Sequence, residues 1–144
     1  MKTNKIIKMT NQEKELRAKK MKKVLIIGMD PYTIDFTNPE IAPGLTIDKI
    51  EKGTQVTLEK LNSMGYDAES FLIETGSTEL SNLARQLWEE KYDGVVVGNG
   101  IRGLASNFIL FEQIINVIHE HAPEAKIIFN SLPTNTDEAV KRWL

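Results

Sequence analysis

The chain has no cysteine among its 144 residues, which excludes disulfides, thiol nucleophiles and cysteine-ligated zinc. It has only two histidines, His119 and His121. Residues two apart on a helix face different ways, and no third histidine completes a ligand set, so no metal site is expected. No apolar run reaches the roughly eighteen residues of a membrane span, and the N-terminus lacks the hydrophobic segment of a signal peptide. A soluble, cytoplasmic protein without a membrane partner is the expectation.

Charge of one sign is also scarce overall, with a formal net charge of -2, but its distribution is uneven. Residues 1–23 hold nine Lys or Arg against Glu13 and Glu15. The remaining nine basic and eighteen acidic residues leave the rest at -9. An acidic body argues against nucleic acid as a partner, because neutralising phosphates needs a basic face on the folded domain. The basic, apolar-poor residues 1–20 are expected to form a mobile extension, either a contact arm or an upstream addition. Residues 21–144 are expected to form one α/β domain.

Three apolar runs organise that domain. Lys23 to Gly28 (KVLIIG), Val95 to Val97 and Lys126 to Asn130 (KIIFN) are apolar without alternation, as strands covered on both faces of a parallel sheet are. Asp67 to Ile73 adds a more polar strand, a candidate edge. Between them, Thr46 to Met64 reads as a helix stopped by Gly65. A second helix, capped by Ser77 or Thr78, runs to about Lys91 with Trp88 in its apolar face, and a third runs from about Ser106 to His121. A short last helix capped by Asn135 or Thr136 ends at Leu144. The third helix is apolar around half its circumference, more than a sheet needs, so it has a further surface to bury, against a neighbouring helix or a second subunit. Four βα units with right-handed crossovers give a three-layer αβα fold whose four-stranded parallel sheet has the expected order 2-1-3-4.

Two loops would then meet at the switch point of this sheet, where open α/β folds hold ligands. Residues 31–45 follow Asp30 and contain Pro31, Pro39 and Pro43, a connection longer than the usual two to six residues. Tyr32 and Phe36 are expected to anchor this loop, and Asp35 and Glu40 to solvate it. Asp30 reads either as a ligand-binding acid or as the start of an Asp-Pro turn. The second loop, Gly98-Asn99-Gly100-Ile101-Arg102-Gly103, fits G-x-G-x-x-G. Its glycines permit positive φ and close approach of an anion to backbone N–H groups, and Arg102 supplies a planar charged fork. Alternatively the glycines serve only the geometry of a sharp turn. In dinucleotide-binding chains such glycines follow the first strand, and an acid about twenty residues later holds the ribose. Here they follow the third, and the next strand ends in Asn130-Ser131. Ser131 has no histidine base at its edge of the sheet, so nucleophilic catalysis is not expected.

The runs VLIIGMD, YDGVVVG and KIIFNS resemble the flavodoxin-like superfold, a Rossmann-like α/β architecture that includes response-regulator receivers. The resemblance spans about residues 22–144 and implies the fold. A receiver carries acids after its first strand, a phosphorylated aspartate after the third, Ser or Thr after the fourth and Lys after a fifth. Asp30 and Ser131 match two of these positions, while Gly98-Asn99 stand where the acceptor would be and a fifth strand is lacking. A flavodoxin's first loop is a short Ser/Thr-rich phosphate cradle, where this chain has MDPYTIDFTNPE. The resemblance therefore names no cofactor, and the cofactor is left unknown. Two functions are expected as alternatives. One is a binding domain for an anionic or nucleotide-like small molecule held by Asp30, Gly98, Asn99, Gly100, Arg102, Gly103, Asn130 and Ser131. The other is a homo-oligomeric interaction protein in which the glycine turn is structural. No reaction is named by these residues.

Overall fold

In a computed structural model, which describes residues 10–12, 21–77 and 79–144, the apolar runs and the Asp67 segment pair as four parallel strands. These are β1 (Lys23–Met29), β2 (Asp67–Ile73), β3 (Gly94–Val97) and β4 (Lys126–Phe129). Their order is β2-β1-β3-β4, as the connection rules require. Val24 lies beside Ala68 and Gly94, and Val97 beside Ile27 and Phe129. The expected extension over residues 1–20 falls largely outside the described residues, as does the Thr78 cap.

Among the described residues from 21 on, the α-helices are α1 (Ile47–Ser63), α2 (Ser81–Glu89), α3 (Asn99–Arg102), α4 (Phe108–His121) and α5 (Thr136–Trp143). Side chains alternate across a strand, so each strand feeds two cores. Leu25, Ile27, Met29, Val95 and Val97 meet Leu83 and Leu87 of α2 and Leu110, Ile114 and Ile118 of α4. Val24, Val96 and Ile128 meet Leu61 of α1 and Ala139 and Val140 of α5. Most of these side chains are wholly buried, and each contributes about 1.5–3 kcal/mol of transfer free energy. No helix among the described residues is long and apolar enough to cross a membrane.

The expected caps hold at α1. Thr46 Oγ1 accepts from the Lys49 N–H at 3.2 Å, and Gly65 takes φ 95° just past the helix end. At α2 the structure corrects the sequence reading. The helix starts at Ser81, where the Glu79 carboxylate accepts the Ser81 N–H at 2.7 Å, while the Ser77 hydroxyl accepts from Glu79 N–H at 3.3 Å. Trp88 is 76% exposed. It lies about 100° around the helix from Leu87, off the Leu83–Leu87 stripe that meets the sheet. The broad apolar surface of α4 is present, with Phe108 and Ile109 at 64% and 60% exposure.

Both outer strands carry a side-chain cap on an outward main-chain group. Asn62 Oδ1 accepts the Ala68 N–H of β2 at 3.0 Å, and Arg142 Nη2 donates to the Phe129 carbonyl of β4 at 3.2 Å. Each cap occupies a single main-chain group of its edge.

Candidate functional site

The glycine turn does not lead straight into the long helix. It folds into α3, a single turn whose Ile101 is wholly buried in the core against α2 and α4. None of Gly98, Gly100 and Gly103 has positive φ. Two are required by close packing instead: a Cβ at Gly98 would stand 2.9 Å from the Ile27 carbonyl oxygen, and one at Gly103 would stand 2.8 Å from that of Asn99. A Cβ added at Gly100 would meet nothing within 4 Å.

The long loop does reach this turn. The Glu40 carboxylate accepts the Ala105 N–H at 2.7 Å, tying the loop to the chain entering α4 before it returns to α1 on the other face. Glu40 thus binds backbone where solvation was expected. Ile34 packs on the core, while Tyr32, 70% exposed, ties the loop to α1 by the hydrogen bond of its hydroxyl with Glu51, which raises the Tyr32 pKa. Phe36 is half-buried. The Thr37 hydroxyl and N–H hold the Asp35 carboxyl below its usual range.

Asp30 stands apart from the other site candidates. Its N–H continues the sheet to the Ile73 carbonyl (2.8 Å), and its Oδ1 accepts the Tyr32 N–H (3.0 Å), starting the short 3-10 turn Pro31–Thr33. Of its two readings, the turn is the role its carboxylate performs here.

Asn130 is the node of the opposite side. Only 5% exposed, it accepts the Asn99 N–H on Oδ1 at 2.9 Å and donates from Nδ2 to Thr136 Oγ1 at 3.0 Å. One side chain thereby holds the glycine turn, the end of β4 and the start of α5 together. Arg102 adds a second tie. Its Nε donates to the Val97 carbonyl at 3.3 Å, its Nη2 donates to the Asn130 carbonyl, and its guanidinium lies 4.9 Å from the centre of the Phe129 ring.

Arg102, Asn130 and Ser131 line one polar cavity of about 200 Å³, together with Asn135, Glu138 and Arg142. Asn135 Nδ2 donates to Ser131 Oγ at 2.6 Å, and its Oδ1 accepts the N–H groups of Ser131 and Leu132 at 3.1 and 3.0 Å. So Asn135 sits at the N-cap position of α5 but spends its side chain on the preceding loop. Each guanidinium keeps donors beyond those engaged: Arg102 uses two of its five N–H groups and Arg142 one, among the described residues. The cavity thus gathers two permanent positive charges, the Glu138 carboxylate and a hydroxyl.

The sequence reading missed Asn135, Glu138 and Arg142 as cavity residues. Arg142 reads as a charge suited to a helix C-terminus, which hides its second use. Their spacing was the available signal, since positions i, i+3 and i+7 share one helix face. No family model matches this chain, and no curated protein matches it either, so the functional reading rests on the geometry.

Proposed function

We propose that the protein is a small-molecule-binding α/β domain that holds an anionic group at the carboxyl edge of its sheet, in the cavity beyond β4. The observation that carries this reading is the convergence of Arg102 and Arg142 on one polar cavity with Ser131 and Asn135. Two guanidinium groups and a hydroxyl suit a phosphate or carboxylate, which accepts several charge-assisted hydrogen bonds at once. The volume, about 200 Å³, favours a single anionic group over a whole nucleotide, whose pockets are commonly larger, about 300 Å³ or more. Asp30 takes no part.

Thermal unfolding in the presence of inorganic phosphate, acetate and nucleotides tests it. An anion at about a hundred times its dissociation constant raises stability by roughly 2.7 kcal/mol, and Arg142→Ala abolishes that gain. Equal shifts in wild type and Arg142→Ala would leave only a general salt effect. A second reading, self-association without a ligand, draws on the exposed Phe108 and Ile109. A monomeric sedimentation profile at high concentration removes it.

A further inference from the structure

We infer that the outer side of β4 is a docking groove for an extended peptide that ends in a carboxylate and lies parallel to the strand, as a fifth member of the sheet. For its carboxylate end this rests on the anion reading above.

Three observations carry it. The first is the open main chain of β4. Lys126 N–H donates to the Asp93 carbonyl at 2.9 Å, and the pleat then turns the main-chain groups of Lys126 and Ile128 toward β3 and those of Ile127 and Phe129 away from it. Arg142 covers the Phe129 carbonyl, while nothing among the described residues bonds the Ile127 N–H, the Ile127 carbonyl or the Phe129 N–H. The second is an apolar groove of about 440 Å³ beside this edge, between α4 and β4, lined by Phe108, Phe111, Ile115, Ile127 and Phe129. Ile127 and Phe129 share one face of the strand, so alternate side chains of an added strand would meet the same groove.

The third is charge. Phe129 borders both the groove and the arginine cavity, with Phe111 edge-on to it at 5.7 Å and Arg102 stacked at 4.9 Å. Followed in the direction of β4, the surface passes from the apolar groove to a polar cavity in which two arginines outnumber one carboxylate, that of Glu138. A segment running that way sets its apolar side chains against α4 and its terminal carboxylate between Arg102 and Arg142. It also continues an all-parallel sheet in the same sense. A second copy fits this edge less well. Two-fold pairing of β4 with itself is antiparallel, and brings Lys126 of one copy toward the arginines of the other.

The test is selection of random heptapeptides displayed with free C-termini on the full chain. Enriched sequences are then measured by fluorescence polarisation as free acids and as C-terminal amides. The expected sequences carry apolar residues at alternate positions near the C-terminus. Amidation should weaken binding about tenfold or more, the effect of removing one member of a close charge pair. Arg142→Gln should weaken the acid to a similar degree and leave the amide unchanged, and Phe108→Ser, at an exposed position, should weaken both.

Failure to enrich any peptide overturns the inference, and a surviving phosphate or acetate shift would leave the anion cavity standing. Peptides that bind equally as acid and amide overturn the carboxylate end of the inference, while the proposed function is read separately from the phosphate or acetate shift. A dimer abolished by Phe108→Ser makes a second copy the occupant, and octanoate binding without peptide enrichment makes it an amphiphile. Either result also overturns the peptide reading.

Discussion

Replacing Asn130 by alanine removes both bonds of the node described above and leaves two partners behind. The Asn99 N–H, at a half-buried position, loses its acceptor at 2.9 Å, and the Thr136 hydroxyl, 3% exposed, loses its donor at 3.0 Å. An unmet buried polar group costs about 1–3 kcal/mol. Asn99 belongs near the lower end because water can reach it, so the sum is about 2–3 kcal/mol. For a domain of this size each kcal/mol is roughly 4 °C, and the melting temperature should fall by about 8–12 °C. Urea unfolding followed by far-UV circular dichroism measures the loss directly. Asn130→Ala, Thr136→Val and the double variant then form a cycle in which the coupling should be about 1 kcal/mol. A loss below about 0.5 kcal/mol for Asn130→Ala, or additive single variants, would refute the role given to this side chain.

The three glycines of the turn should respond differently to alanine. Gly98→Ala and Gly103→Ala drive a Cβ to 2.9 and 2.8 Å from main-chain oxygens and should each cost about 1–3 kcal/mol; Gly100→Ala meets nothing within 4 Å and should be neutral or stabilise by up to about 1 kcal/mol. Matching urea midpoints for all three would contradict the steric account. At the amino edge of the sheet, burial and the hydrogen bond to Glu69 push the Tyr92 hydroxyl well above its ordinary pKa of 10.0. The unfolded chain releases that proton first, so the native state binds more protons above about pH 10 and stability falls from there upward. Lys23, raised above 10.5 chiefly by its hydrogen bond to Glu90 despite an opposing effect of burial, adds stability that is complete below 10.5 and is lost as pH rises through its folded pKa. Urea midpoints measured between about pH 8 and 11 should therefore decline, and less steeply in Tyr92→Phe; identical slopes would remove Tyr92 from the account.

Strand positions and their order were legible because burial on both faces leaves a direct mark: Val95, Val96 and Val97 are wholly buried, and nothing polar interrupts them. Helix ends were legible where a side chain or a positive φ makes the stop, as at Thr46 and Gly65. Arg102 was visible as a charge in a loop, but its partners are main-chain carbonyls of two strands, which carry no residue identity. The α3 turn was hidden by its own glycines, which suggest an open loop while packing requires them beside Ile27 and Asn99. Trp88 was misread because hydrophobicity alone does not say which side of a nine-residue helix faces the sheet. Asp30 follows one of its two expected readings, whereas Glu40 departs from its own, which was solvation. The acid at the strand end serves its own turn, and the loop acid makes the contact that spans the edge.

The order β2-β1-β3-β4 has a consequence for how the chain can be divided. Residues 23–73 contain β1, α1 and β2, and residues 94–129 contain β3, α3, α4 and β4, so each half holds one neighbouring pair of strands with its own crossover. Within the sheet the halves share one seam, β1 against β3, running from Val24 beside Gly94 to Ile27 beside Val97. The exposed turn at Gly76 lies between them in sequence, outside any strand or helix. A backbone opened there breaks no strand pairing. Two separately made fragments could then be recombined, with the seam as the surface on which they recognise each other and the cores above and below it as the reason they stay joined.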